Sequence, residues 1–190
     1  MKIILNRTLL SMILVGLLTT ISCQTQVETI SQTQMKLERY AVTIHDLPQG
    51  WIYSGENWTN SFGGEDYTRG FDIPNNTNGA RIGLGHTMSI YPDEKQAEAA
   101  YPQWEDYSFG GLWNYSGAEF VPSDPNDQYE YKCQQILQDK SIIGCRFLQR
   151  HNQFIVYVSA TIDGKAMTLA QLNQILGVLD KRLNETSMGN

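Results

Sequence analysis

The chain has 190 residues, which is enough for one domain of ordinary size and too few for two independent cores. Hydrophobic residues make up 41% and aromatic residues 11% of the chain, so general disorder is excluded. There are 14 basic and 20 acidic residues, and two of the basic ones lie in a leader that we expect to be removed. A surface with this excess of negative charge is unsuited to nucleic acid, because phosphate binding depends on clustered Lys and Arg.

The first 22 residues have the layout of an export signal. Lys2 and Arg7 precede an apolar run, Leu9–Leu18, that is too short to span a bilayer, which takes about 20 residues. The run leads to Thr19-Thr20-Ile21-Ser22-Cys23, which resembles the lipobox of bacterial lipoprotein precursors. That resemblance implies that residues 1–22 are removed and that the Cys23 thiol carries a diacylglycerol. An ordinary signal peptide with an incidental cysteine at its end is the alternative.

A polar tract, Gln24–Gln34, separates Cys23 from the single domain that we expect over residues 37–186. The tract is rich in Gln and Thr and contains no Pro or Gly, a composition typical of a solvated tether, so we interpret residues 23–36 as a lipidated linker. Two acyl chains make a stable membrane anchor. The sequence therefore predicts a protein of the cell envelope. Gln24, by resemblance to Gram-negative sorting rules, favours the outer membrane if the host has one.

Two cysteines, Cys133 and Cys145, remain outside the leader. They lie in strand-like segments, Tyr129–Ile136 and Ile142–Leu148, and a hairpin centred on Asp139 places them directly opposite each other. In an exported chain this arrangement predicts one disulfide. Two buried free thiols are the alternative. A metal site is disfavoured, since no His or third Cys lies near them in the sequence.

Alternating apolar residues predict the other strands. We expect them at Tyr40–His45, from Trp51 onward, at Tyr67–Ile73, at Ile82–Ile90 and at Phe154–Ile162, with a hairpin turn at Asn78-Gly79.

Two helices are predicted from caps and apolar periodicity. Asp93 and Gln96 are spaced as a capping box at the start of the first helix, which Pro102 should kink or end early. Thr168 and Gln171 form a second such box before a leucine-rich stripe. The predicted class is α+β: an antiparallel sheet with the two main helices packed on one face. Hairpin, long strand and helix recur in both halves, which suggests a ββα pseudo-repeat.

Glycines and aromatic residues are the candidate ligand contacts. Gly83 and Gly85 leave one face of a predicted strand nearly smooth, which is typical of close approach by a ligand, a ring or another backbone. Of the 20 aromatic residues, 13 lie between residues 51 and 115, many in predicted loops. Such rings bury large areas and stack on sugars or peptides, although they can equally form the core. The candidates are Trp51, Tyr53, Trp58, Trp113 and Tyr115.

Motifs of catalysis are absent from the sequence. It contains no P-loop, no Gly-x-Ser-x-Gly and no His-Glu-x-x-His. His86 fits a core histidine with one satisfied hydrogen bond, and His151 fits a turn. Asp124-Pro125-Asn126-Asp127 fits an Asx turn better than a calcium loop, because it lacks the Gly and the distal Glu. We therefore expect no catalytic residue, no metal and no cofactor.

Two stretches of the domain resemble known families. Tyr40–Trp51 (YAVTIHDLPQGW) and Arg150–Lys165 (RHNQFIVYVSATIDGK) resemble the opening strand and turn and the late hairpin of PsbP-like domains. The expected order of strands and helices resembles the extracellular sensor domain of PknH-type kinases and related lipoproteins. Either resemblance implies a noncatalytic α+β binding module.

The sequence thus predicts a lipid-anchored envelope protein that binds a glycan, peptide or protein. The contact surface is expected to be an aromatic-lined groove or the Gly83/Gly85 face. Two alternatives remain open. One is an envelope hydrolase using carboxylates such as Glu65, Asp66, Glu105 and Asp106. The other is a structural partner in an envelope assembly.

Overall fold

The computed structural model describes residues 33, 36–74, 82–111, 120–136 and 139–187. The chain divides after Lys36, and Leu37–Asn190 forms one compact unit. The predicted signal peptide and Cys23 lie outside the described residues, as do Trp113, Tyr115 and the Asn78-Gly79 turn. Among the described helices, none combines the length and the apolar character needed to cross a membrane.

Six antiparallel strands form one sheet. They are β1 (Ile52–Ser61), β2 (Gly64–Asp72), β3 (Gly83–Ile90), β4 (Gln128–Ile136), β5 (Asp139–His151) and β6 (Phe154–Ile162). Their order across the sheet is β1-β2-β3-β6-β5-β4, so β3 and β6 pair in the middle. Helix α1 (Glu94–Phe109) follows β3, and helix α2 (Leu169–Ser187) follows β6. The predicted α+β class is confirmed, but each half reads βββα rather than ββα.

The two helices pack against opposite faces of the sheet. Leu148 and Ile155 belong to the hydrophobic cluster of α1, whereas their chain neighbours Phe147 and Val156 belong to the cluster of α2. Successive side chains of a strand point to opposite faces. We call these the α1 face and the α2 face. The expectation that both helices lie on one face is therefore wrong.

The first predicted strand, Tyr40–His45, is not a strand. Residues 36–40 are helical, and Ile44–Asp46 form a 3₁₀ turn. The Thr43 amide donates to the Asp46 carboxylate at 2.7 Å, and Arg182 of α2 donates to both oxygens of the same carboxylate at 2.8 and 2.9 Å. A local side-chain bond of this kind competes with strand pairing. The resemblance to a PsbP-like opening strand rested on this segment.

Both helices begin at the predicted cap residues, but the first helix does not end early at Pro102. At α2, the Thr168 amide donates to Gln171 Oε1 at 2.8 Å and the Gln171 amide donates to Thr168 Oγ1 at 3.2 Å, which confirms that capping box. At α1, Asp93 accepts from the Gln96 amide at 2.8 Å, but the Gln96 side chain returns to the Asp93 carboxylate rather than to its backbone. Helix α1 continues through Pro102 to Phe109, so the expected early end is wrong.

The disulfide prediction is confirmed. Cys133 lies directly opposite Cys145 in the β4–β5 register, and the two Cα atoms are 4.0 Å apart. The pairs from Gln128 to Gln135 keep this register, but the register shifts after Gln135, and Asp139 pairs with Ile136 at the start of β5 instead of lying at the centre of a turn. Both sulfurs join the buried cluster on the α2 face. The bond therefore ties β4, an edge strand of the sheet, to its neighbour β5.

Candidate functional site

A row of small residues crosses the sheet on the α1 face. Gly55 pairs with Gly70, Gly70 with Gly85, and Gly85 with Ser159 of β6. All four residues are half-buried. Helix α1 covers β5 and β6, and the row extends from β6 into the part of the sheet beside that cover. The next row on this face places Asn57, Thr68 and Thr87 side by side. We call these seven uncharged residues the glycine floor.

The two glycines predicted as ligand contacts, Gly83 and Gly85, differ in how much space surrounds them. A Cβ on Gly83 would come within 2.8 Å of Asp72 Oδ1, and a Cβ on Gly70 within 2.7 Å of Ser54 Oγ, so neighbouring side chains explain both. A Cβ on Gly85 would meet nothing closer than the Ser159 carbonyl at 4.0 Å among the described residues. Glycine weakens the interior of a strand and often marks the approach of a ligand. Gly85 is therefore a glycine without a packing reason inside the described chain.

Four aromatic rings form a connected cluster that meets the floor at Tyr157, and we call them the aromatic wall. Tyr157 of β6 lies beside Thr87, and the centroids of Tyr107 and Tyr157 are 6.2 Å apart. Trp104 lies 5.8 Å from Tyr107 and 5.3 Å from Phe62. The Trp104 indole is buried, whereas Tyr107 is 64% exposed. Rigid rings beside a polar, uncharged floor can stack on the flat face of a ligand while the hydroxyls bond to its edge.

Sequence reasoning did not place the wall. Tyr107 lies on α1, one turn beyond Trp104 and past Pro102, where we expected the helix to kink or to have ended. Phe62 reaches the wall from the β1–β2 turn, where its φ of 51° puts a non-glycine residue in the left-handed region. The helical spacing of Trp104 and Tyr107 was the one signal available.

The three aromatic candidates that the structure describes, Trp51, Tyr53 and Trp58, do not form one site. Trp51 is buried, and its indole nitrogen donates to the Ala166 carbonyl at 3.3 Å. Trp58 is half-buried and stacks on Tyr67, with centroids 4.4 Å apart. Tyr53 is 48% exposed, but it pairs with Phe71 on the α2 face. These rings are therefore in the core or on the face opposite to the glycine floor.

His86 is fully buried on the α2 face. Neither of its ring nitrogens has a hydrogen-bond partner among the described residues, so the expectation of one satisfied bond is wrong. Burial, together with the nearby charges of Arg69 and Arg182, lowers the pKa of His86 to about 3. The ring is therefore a neutral core group.

One group of described side chains has metal-ligand character. Asp124, Asp127 and His151 each offer a ligand atom within 4.8 Å of the others. Asp127 already bonds to His151 Nδ1 at 2.8 Å and accepts from Gln149 at 2.6 Å. Asp124 accepts from the Asn126 amide at 2.9 Å, which confirms the Asx turn. Protein donors therefore engage both carboxylates, and the group is a hydrogen-bond network.

His151 is buried at the end of β5, not exposed in a turn. Burial opposes its charge, but the hydrogen bond and charge of Asp127, with the charges of Asp124 and Asp180, outweigh it and raise the pKa of His151. The network also reaches α2, because Gln149 donates to Asp180 at 3.1 Å. A protonated His151 thus stabilises the junction of β5 with α2.

We expect the stability of the protein to depend on the charge of His151. A pKa raised in the folded state contributes stability that is fully present below the unfolded pKa, near 6.5, and is lost as the pH rises through the folded value. Urea unfolding measured in steps above pH 6 should show this decline. His151→Gln should flatten it, whereas His45→Gln, at an exposed position, should leave it unchanged. An equal slope in all three proteins would contradict the assignment.

The carboxylates of the hydrolase alternative do not converge. Asp66 is buried on the α1 face; burial raises its pKa, and the hydroxyls of Ser61 and Ser89 oppose the rise. Glu65, its chain neighbour, is exposed and points to the opposite face. Glu105 and Asp106 line a separate cavity of about 340 Å³. Desolvation, together with the charge of Glu130, raises the pKa of Glu105.

Comparison with known proteins identifies a fold but no family. No family model and no curated protein matches the chain. Among solved structures, the extracellular domain of PknH from Mycobacterium tuberculosis superposes with a TM-score of 0.55, covering 78% of this chain and 94% of that one. The two sequences are 10% identical, so the likeness is one of fold alone. It confirms the fold implied by the PknH-type resemblance in the order of strands and helices.

Proposed function

We propose that the protein is a noncatalytic binding or sensor module, tethered by lipid at Cys23 in the cell envelope. Its fold is similar to that of an extracellular domain, which supports a place outside the cytoplasm. The Cys133–Cys145 disulfide supports the same compartment, because such bonds persist where the environment is oxidising. The lipobox-like leader supports the anchor, and Gln24 favours the outer membrane in a Gram-negative host.

The ligand in this proposal is a carbohydrate that lies on the glycine floor against the aromatic wall. The observation that carries it is that no described residue fills the space above Gly85, which lies in a central strand. A sugar ring can stack its C–H face on Tyr107 while its hydroxyls bond to Ser159, Thr68 and Thr87. Glycoside hydrolysis ordinarily needs a pair of carboxylates, and the floor contains none.

Filling the floor should abolish binding without harming the fold. Gly85→Val places a branched side chain in the open space, and valine has a higher strand propensity than glycine. Gly144→Val is the matched control, because Gly144 lies on the same face of the sheet but in β5, in the other half. We expect both variants to melt at or above the wild-type temperature. Only Gly85→Val should weaken binding, by about tenfold or more, or about 1.4 kcal/mol.

Binding is measured by tryptophan fluorescence, since Trp104 is part of the wall. The purified protein is titrated with neutral oligosaccharides and peptidoglycan fragments. A saturable change without product supports the proposal, and equal affinity of the two valine variants contradicts the site. Released product would favour the hydrolase. A silent titration combined with a co-purifying protein would favour the structural role in an envelope assembly.

A further inference from the structure

A cavity of about 480 Å³ opens on the α2 face beside the 3₁₀ turn. Its walls come from Thr43–His45, from Tyr53 and Glu56 of β1, and from Arg69 and Phe71 of β2. Glu56 pairs with Arg69 in register, so the cavity lies on the other side of the sheet from the glycine floor. Its volume is within the range of small-molecule sites.

A cation and an anion are fixed side by side in the wall of this cavity. Arg69 Nη2 is 3.4 Å from Glu56 Oε2. The buried Tyr67 hydroxyl donates to Glu56 and accepts from Arg69, and Arg69 also donates to the Val42 carbonyl at 3.1 Å. Hydrogen bonds from Tyr67 and Tyr53 lower the pKa of Glu56, which therefore remains ionised at neutral pH.

Both charged groups keep capacity for a ligand. Arg69 has five N–H donors; its Nε is buried, whereas Nη1 makes one hydrogen bond among the described residues, to the Val42 carbonyl, and so keeps a hydrogen for a ligand. The Glu56 side chain is 41% exposed, whereas that of Arg69 is 17% exposed. A carboxylate in the cavity would thus find guanidinium donors at depth, and an ammonium group would find Glu56 near the mouth.

The remaining wall is apolar and partly open. Tyr53 and Phe71 meet edge to face, with centroids 6.0 Å apart. Ile44 is 38% exposed on the turn that closes the other side. An apolar group held here would remove the exposed area of Ile44 and Tyr53 from water, which favours binding.

We propose that this cavity binds a free α-amino acid with an apolar side chain. A ligand of single charge would be attracted by one member of the Arg69–Glu56 pair and repelled by the other. An amino acid carries both charges on groups separated by one carbon atom, so it can face two charges 3.4 Å apart. Its side chain then lies against Ile44, Tyr53 and Phe71.

Calorimetry of the full-length protein in detergent tests this with three related probes. Phenylalanine carries both charges, phenethylamine lacks the carboxylate, and 3-phenylpropionate lacks the ammonium group. We expect saturable binding of phenylalanine at millimolar concentrations or below. Loss of either charge should weaken binding about tenfold or more, because a charge-assisted hydrogen bond is lost. Absence of saturable phenylalanine binding, or equal affinity of all three probes, would overturn the proposal.

Substitution identifies the site. Glu56→Gln should remove the preference for phenylalanine over 3-phenylpropionate while leaving the fold intact, since Glu56 is an exposed residue. Glu65→Gln is the matched control, because Glu65 is an exposed acid on the next strand that does not line the cavity. A preference unchanged in Glu56→Gln would reject the assignment. Oligosaccharide binding by the same variant should persist, so this result is independent of the glycine floor.

Discussion

Replacing Cys133 and Cys145 together by alanine should lower the free energy of unfolding by about 3 kcal/mol. The bond closes a short loop, with a sequence separation of 12 between the cysteines, and so restricts the unfolded chain. It also holds β4 to β5 at an edge of the sheet, where hydrogen bonds come from one neighbour only. Urea unfolding of wild type and the alanine pair gives the difference directly.

A reducing agent provides the control for the disulfide. It should lower the stability of the wild type by a similar amount and leave the alanine pair unchanged. If the two proteins unfold at the same urea concentration without reductant, the bond does not stabilise the domain. If more than one thiol per chain titrates in the unfolded, unreduced wild type, the bond is not formed, because Cys23 can account for only one.

Replacing Cys23 by serine should remove the membrane anchor entirely. Acyl chains stabilise membrane attachment by about 0.8 kcal/mol per buried methylene, and serine offers no thiol to carry them. The intact mass of the protein expressed with its own leader is the measurement. We expect wild type to begin at Cys23 and carry a diacylglycerol, and we expect Cys23→Ser to carry no lipid.

The alanine pair at Cys133 and Cys145 is the matched control for this mass. It removes two cysteines from the domain and should leave the lipid in place. A wild-type chain that is unprocessed, or cleaved without lipid, would contradict the anchor. Only the fold and the disulfide would then support a location of the domain outside the cytoplasm.

Elements fixed by local spacing were predictable from the sequence. The Thr168–Gln171 cap needs only residues three apart, and the pairing of Cys133 with Cys145 follows from strand alternation on both sides of one turn. The segment at Tyr40–His45 also alternates, but its conformation depends on Arg182, which is distant in sequence and contacts Asp46. The alternation of apolar residues cannot predict a contact between residues so far apart in the sequence.

The candidate site was predictable only in part. Gly85 was identified because glycine weakens the interior of a strand and often marks a close approach by another group. No packing contact among the described residues accounts for it. Gly83 showed the same pattern, yet Asp72 on the neighbouring strand explains it. The wall could not be inferred, because Phe62, Tyr107 and Tyr157 come from three elements whose meeting depends on the packing of α1.

The placement of α1 and α2 bears on how the two βββα halves are related. A rotation that exchanges β3 with β6, which are antiparallel, must have its axis perpendicular to the sheet. Such a rotation keeps each face in place, so two-fold symmetry would require α1 and α2 to lie on the same face. Because the helices lie on opposite faces, the halves are not related by two-fold symmetry. That asymmetry leaves the α1 face of β1 to β3 without a helix of its own among the described elements, and the glycine floor lies there.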